Sequence, residues 1–304
     1  MAEAAVETLE LKVKQEDLTS WSAVRDGRDT ANGGGYPAWL PPSLYDLNTA
    51  SERAKVATQP LTIEAAVVVP TLNEHDNITA LLQGILAADP RLHVIVVDDG
   101  SSDGTDTVVT QMADDKASPD AARIHLIERG RKMGYASAVQ DGMRFALEHG
   151  AQLVLQMDAD FSHDPKSLPA LLQKSENYDL VIGSRYVPGG GTRNWGLDRK
   201  ILSGGANTLA RTLLGLPVRD CTGGFRCWRR SLIEKTNILD IKVEGYAFLF
   251  LTLDRCHHAK ARIGEVPIIF ADRQFGKSKM SRRIILEAMR VLFNLWRKRL
   301  WNHE

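Results

Sequence analysis

Asp158-Ala159-Asp160 closes an apolar run that begins at Leu153. Two carboxylates one residue apart at a strand end can both turn toward one divalent ion. Hard cations such as Mg²⁺ or Mn²⁺ choose oxygen ligands, and Mg²⁺ commonly shares a few carboxylates with substrate phosphates. The competing reading is a capped turn, with Asp160 or Asp164 opening a helix at Pro165. Asp164 is expected to be such a cap. For the pair itself a metal is favoured, because adjacent like charges are costly without a cation. A second acidic stretch, Asp98-Asp99-Gly100-Ser101-Ser102-Asp103-Gly104-Thr105, follows another apolar run. A carboxylate at its head can accept hydrogen bonds from a base or from ribose hydroxyls, while Asp103 and the glycines would serve as turn and helix cap in any case.

Other phosphate-binding patterns are missing or incomplete. The turn Pro70-Thr71-Leu72-Asn73-Glu74 has no glycine to admit a dinucleotide pyrophosphate. Gly276-Lys277-Ser278 has the tail of a Walker A loop, but Ala271 stands at the position of the leading glycine. Gly189-Gly190-Gly191 reads first as loop punctuation and only second as a phosphate cradle. His163, His257 and His258 lack ligand-like spacing and read as ordinary surface or supporting residues.

The elements that must position these residues follow from periodicity. β-rich runs at 65–70, 93–99, 123–129, 153–160 and 179–186 alternate with amphipathic helical stretches such as 77–88 and 136–149. Strands that are apolar on both faces and alternate with helices predict a Rossmann-like α/β fold, a mostly parallel sheet with helices on both faces. Ligands of such sheets bind beyond the carboxyl ends of the strands. The polar residues cluster there: Asn73 and Glu74, Asp98 and Asp99, Asp158 and Asp160, Ser184 and Arg185.

Lysines and arginines number 38 and acids 38, which excludes a generic nucleic-acid binder. Three scattered cysteines, Cys221, Cys227 and Cys256, suit reduced thiols rather than a disulfide framework or zinc site. The acidic start MAEAAVETLELKVKQEDL does not read as a signal peptide, and no apolar run approaches the roughly 20 residues that span a bilayer. Residues 1–60 read as an N-terminal, partly ordered extension without assignable chemistry, 61–281 as the main domain and 282–304 as a basic C-terminal helix. That helix places Ile284, Ala288, Val291, Leu292 and Leu295 on one face, with arginines elsewhere and Trp296 and Trp301 near its end. Two readings stand side by side: a helix in the headgroup region of a bilayer, or one packed on the domain.

VVVPTLNE, VVDDGSSDGT and the later DAD together resemble the family 2 glycosyltransferases of GT-A fold. GSRYVPGGG, DRKILSGGAN, DCTGGFR, GYAF, IGEVPI and DRQFGKSKM further resemble dolichol-phosphate mannosyltransferases and their bacterial polyprenol-phosphate relatives, from about Ala65 to Ser281. The resemblance implies that Pro70, Leu72, Glu74, Val97 and Asp99 hold the nucleotide and that Asp158, Ala159 and Asp160 hold metal and diphosphate. It places Arg185, Arg199, Ser203, Arg273 and Lys279 around the donor diphosphate and the acceptor phosphate. Two departures stand out. Ser162 occupies the place of a frequent metal-binding glutamine, and the run from Ala247 to Leu251 is apolar where relatives carry an acid after GY-x-F.

The resemblance therefore implies an inverting, metal-dependent transfer of a hexose, mannose from GDP-mannose, to polyprenyl or dolichyl phosphate. The residue inventory suits that chemistry. A lipid phosphate is already anionic and needs orientation and charge compensation more than a general base. The leaving nucleoside diphosphate can be stabilised by a metal and by arginines, whose planar forks match phosphate; Arg185, Arg199, Arg226 and Arg273 are the candidates, and at least two are expected to touch phosphate. A UDP-sugar donor such as UDP-glucose, and a non-catalytic nucleotide-sugar or lipid-phosphate binding module, remain the alternatives. The expected setting is cytoplasmic, peripherally associated with the membrane, with or without a membrane-anchoring partner protein.

Overall fold

The computed structural model describes residues 61–243, 245–272 and 289–297. Nearly every position of β1 (Ala65–Thr71) and β2 (Leu92–Asp98) is buried, as strands covered on both faces require. Alternate side chains feed two cores. Ala65, Val67 and Val69 pack with Ile78, Leu81, Leu82 and Ile85 of α1 (His75–Ala88) and with Leu168, Leu171 and Leu172 of α4 (Leu168–Ser175). Ala66 and Val68 face the opposite way, onto Val139 and Met143 of α3 (Tyr135–Glu148) and the core that holds Phe248 and Leu253 of α7 (Tyr246–His258). Between β2 and α3 come α2 (Thr105–Asp114) and β3 (Ile124–Glu128).

The seven-stranded sheet has the order β3-β2-β1-β4-β7-β5-β8, where β4 is Leu153–Gln156, β5 Leu180–Ser184, β7 Arg226–Arg229 and β8 Ile263–Pro267. All pairings are parallel except those of β7, which runs antiparallel between β4 and β5. The mostly parallel sheet with helices on both faces is thus present, and strands grow outward in opposite directions from the β1/β4 pair. That is the point where loops diverge and leave a crevice. Because β7 is inverted, its beginning, Gly223-Gly224-Phe225, lies at the same sheet edge as the ends of β1, β2, β4 and β5. A small parallel pair, β6 (Gly191–Arg193) with β9 (Ile269–Ala271), and the long helix α5 (Leu197–Leu213) flank that edge; α6 (Arg230–Thr236) follows β7.

Residues 289–297 are helical. Leu292 is only 3% exposed and joins the α3/α7 core, with Val291 and Leu295 packed against it, while Met289 and Phe293 are exposed. This corrects the bilayer reading of that face: the helix spends Val291, Leu292 and Leu295 on the protein. Ile284, Ala288 and Trp301 lie outside the described residues, as do the extension 1–60 and both Arg273 and Lys279. Among the described residues no helix is long and apolar enough to cross a membrane.

Candidate active site

The loops after β1 and β2 are stitched into one unit. Asn73 adopts a left-handed backbone (φ 55°), its Oδ1 accepts from the Ser102 N–H at 2.9 Å and its own N–H donates to Ser101 Oγ at 2.8 Å. The Glu74 N–H donates to Thr105 Oγ1 at 2.9 Å and the His75 N–H to Asp103 Oδ2 at 3.1 Å. Asp103 also accepts from the N–H and hydroxyl of Thr105, the turn role expected of it, while the N-cap position of α2 falls to Gly104 in the left-handed region. Asp98 is consumed locally, accepting from Thr71 Oγ1, Ser101 Oγ and the N–H groups of Gly100 and Ser101.

Asp99 reaches across to the start of α3. Its Oδ1 accepts from Arg129 Nη1 at 3.0 Å and the Met133 N–H at 2.7 Å, and its Oδ2 from the Gly134 N–H at 2.9 Å. Pro70, Leu72 and Glu74 are half-buried at the neighbouring strand end. The side chains of Val97 and Ala159 lie in the core, 0% and 4% exposed, so only their backbones can face a nucleotide.

The DAD turn stands beyond β4. Asp160 is buried, and its Oδ1 accepts from the Ser162 hydroxyl at 2.6 Å and the Ser162 N–H at 3.1 Å. Ser162 thus orients the carboxylate that a glutamine would otherwise accompany. Phe161 between them holds φ at 58°, a rare conformation for an aromatic residue and one found at functional turns. Asp164 caps the turn at Pro165 by accepting from the Lys166 N–H. Asp158 is half-buried; its Oδ1 accepts from Tyr135 Oη at 3.1 Å and its N–H donates to His163 Nδ1 at 3.1 Å. A Cβ on Gly224 would stand 3.0 Å from Tyr135 Oη and 3.7 and 3.9 Å from the two Asp158 oxygens, so this glycine packs closely beside the phenol and the carboxylate. Among the described residues no third His, Cys, Asp or Glu completes a protein-only metal site. Two carboxylates in one short turn suit a hard cation whose other ligands come from phosphate and water.

Three residues that support the DAD turn and Arg185 carried no functional assignment in the sequence, Tyr135, Gln156 and Asp220, while His163 takes the supporting one of its two readings. His163 is 1% exposed, stacked on Phe225 and edge-on to Phe270, not a surface residue. Burial pushes its imidazole below the ordinary value despite the pull of Asp158 and Asp160, which keeps Nδ1 free to accept. Burial also pushes the Tyr135 phenol well above the ordinary tyrosine value, with Asp158 adding to the effect, so it remains a donor.

The arginines separate by burial. Arg185 forms a bidentate pair with Asp220, Nε to Oδ2 and Nη2 to Oδ1 both at 2.8 Å, and a further bond from Nη2 to Thr222 Oγ1. The two side chains are 6% and 0% exposed. Burial opposes ionisation of Asp220, but Arg185 outweighs it and holds the carboxyl below the usual range. Arg226 is fully buried and bonds Gly223 O, Cys221 O and Thr252 Oγ1. It is a strut for the 221–224 turn, which withdraws it from the phosphate candidates. Arg199 stacks over Trp195 at 4.2 Å and pairs with Asp272 at 2.6 Å, and Ser203 meets Tyr186 Oη at 3.0 Å. Of the glycine triplet, Gly190 is a packing requirement: a Cβ there would lie 2.5 Å from Ser184 O. The apolar run after Gly245 packs inward, with Ala247, Phe248, Leu249 and Phe250 all in the core and Leu251 against it.

The sheet order, the inverted β7 and the carboxylate pair at the diverging strand ends define the GT-A fold of nucleotide-sugar-dependent glycosyltransferases. The profile of glycosyl transferase family 2 matches residues 66–236, and the chain belongs to that family. It is 41% identical over 234 residues to a polyprenol monophosphomannose synthase of Mycolicibacterium smegmatis, covering 77% of this chain and 87% of the relative. It is 39% identical over 222 residues to an undecaprenyl-phosphate mannosyltransferase of Micrococcus luteus, covering 73% and 89%. Among solved structures, glucosyl-3-phosphoglycerate synthase from Mycobacterium tuberculosis with Mn²⁺, UDP and product shares the fold at a TM-score of 0.53 and 21% identity, covering 86% of each chain. Its complex with Mg²⁺ and UDP gives 0.55 at 19% identity, covering 86% of this chain and 85% of that one. The protein is therefore a glycosyltransferase.

Proposed function

We propose that this enzyme transfers mannose from GDP-mannose to a polyprenyl phosphate at a membrane surface, using Mg²⁺ or Mn²⁺. The observation that carries the reading is the pair of carboxylates, Asp158 and Asp160, in one short turn beyond the end of β4, with Asp160 Oδ1 held by Ser162. Asp158 and Asp160 would hold the metal, which would neutralise charge on the donor diphosphate as it departs. Asp99 and the backbone at Val97 would hold the nucleoside. The names of the two bacterial relatives support a polyprenyl phosphate acceptor and mannose as the sugar.

The acceptor side rests on α5. Arg199 and Ser203 share one helical face, and Trp195 stacks on Arg199 and lies 5.8 Å from the Arg185 guanidinium. The same helix leaves Leu197, Ile201 and Leu202 exposed at 73%, 66% and 65%. A phosphate headgroup against Arg199 and Ser203 would place its lipid tail beside those residues. Three large apolar side chains kept in water on one helix are a cost that a lipid surface would remove.

The test is a thermal-shift panel of GDP, GDP-mannose, UDP and UDP-glucose with and without Mn²⁺, followed by transfer to a short polyprenyl phosphate. GDP-mannose with Mn²⁺ should stabilise most and be turned over, and Asp160→Asn should keep the fold yet abolish transfer. Stabilisation by UDP-glucose alone overturns the donor, transfer undiminished by excess chelator overturns the metal, and binding without turnover leaves only a binding module.

A further inference from the structure

Tyr135 occupies the first position of α3, and its phenol oxygen sits between two side chains of different elements. Gln156 Nε2, at the end of β4, donates to it at 2.8 Å, and it donates in turn to Asp158 Oδ1 at 3.1 Å. The direction is set by chemistry: the ionised carboxylate can only accept, so the phenol proton points to Asp158 and the phenol lone pair is left for the amide. Gln156 is fully buried, and among the described residues its Oε1 has no hydrogen-bond partner. A third element closes the arrangement, since a Cβ on Gly224 would lie 3.0 Å from Tyr135 Oη. The helix turn that carries Tyr135 is itself pinned by Asp99 through the N–H groups of Met133 and Gly134.

We propose that Tyr135 is a positioning residue for the metal-binding carboxylate, fixing one oxygen of Asp158 and tying it through the 133–135 turn to Asp99. The proposal rests on the metal reading above. Residues that hydrogen-bond a ligating carboxylate restrict its rotation, so less order must be imposed when the ion arrives, and their loss typically weakens metal affinity by about 10–100-fold. In this role it acts through Asp158.

The test follows free Mn²⁺ by its electron paramagnetic resonance signal as the ion is titrated into the full-length enzyme with GDP present. Tyr135→Phe should raise the Mn²⁺ concentration for half-saturation by about tenfold, with the acceptor KM unmoved and the donor KM raised only at limiting metal. Gly224→Ala, which crowds the phenol rather than removing it, should weaken Mn²⁺ in the wild-type background and add little in Tyr135→Phe, the coupling expected of two changes to one contact. Half-saturation within twofold of wild type in Tyr135→Phe, or fully additive losses in the double variant, overturns the positioning role. If the wild-type enzyme takes up no Mn²⁺, the metal reading falls and this proposal with it, and the flat wild-type curve tells that failure apart. Should Tyr135→Phe not fold, Gly224→Ala alone decides: unchanged Mn²⁺ affinity overturns the proposal.

Discussion

At the scale of single residues, the consequential arrangement is a buried charge beside the site. Arg185 and Asp220 are withdrawn from water together, and each is tolerable only because of the other. Asp220→Asn keeps the shape but leaves the guanidinium buried without its counter-charge. Its unfolding free energy is expected to fall by about 3–5 kcal/mol, read from urea denaturation, and a loss below about 1 kcal/mol would contradict the mutual dependence of the pair. The sequence marked Arg185 by its place at a strand end. It could not mark Asp220, which is 35 residues away and meets Arg185 only because α5 and the chain behind it return to the same edge.

At the scale of elements, α5 behaves unlike the other long helices. α1 buries six residues, five of them apolar, whereas α5, though longer, buries only Asn207 and Ala210. Its exposed leucines and isoleucine are therefore not supporting the core, and polar substitutions there should cost stability no more than about 0.5 kcal/mol. Ile201→Glu with Leu202→Glu is expected to leave the melting temperature nearly unchanged and to reduce co-sedimentation with anionic vesicles several-fold. Arg199→Ala should raise the acceptor KM while GDP binding is kept. Vesicle binding untouched by the glutamates would move the membrane contact to a partner protein or to residues outside α5. The C-terminal helix illustrates the reverse case. Its periodicity is equally amphipathic, but Leu292 lies in the core, and an apolar stripe alone does not say whether protein or lipid will cover it.

At the scale of the whole molecule, the edge of the sheet farthest from β8 carries a cluster of histidines. His93 Nδ1 and His125 Nε2 lie 3.0 Å apart with rings stacked, and Phe145 lies between His125 and His149. Burial, with His93 and His149 nearby, pushes His125 down to about 4. Burial and Arg123 lower His93 as well. A folded-state value below the unfolded 6.5 favours the neutral ring, so this contribution is fully present above pH 6.5. It is lost as the pH falls from 6.5 toward 4, because the unfolded chain binds the proton first. His125 alone amounts to about 3 kcal/mol across that window at roughly 1.4 kcal/mol per unit. Wild-type stability should thus fall between about pH 6.5 and 4 more steeply than that of His125→Phe, and parallel curves would refute the assignment.

Whatever depends on a single stretch of chain is legible in the amino-acid sequence by itself. Strands such as Ala65–Thr71 and Leu92–Asp98 announce themselves because a parallel sheet covered on both faces needs continuous apolar runs. The carboxylates of Asp98, Asp99, Asp158 and Asp160 sit where such runs end, and short-range chemistry places them at one edge. Local signals also anticipate the turn at Asp103 and the cap at Asp164. What required the tertiary structure was every contact between distant segments: Asp220 on Arg185, Tyr135 and Gln156 behind Asp158, His163 under the DAD turn, and the inverted strand β7 that carries Gly224 into the site. Those partners are tyrosine, glutamine, histidine and aspartate at ordinary spacings. Their roles come from desolvation and from distances of about 3 Å, and both exist only once the chain has folded back on itself.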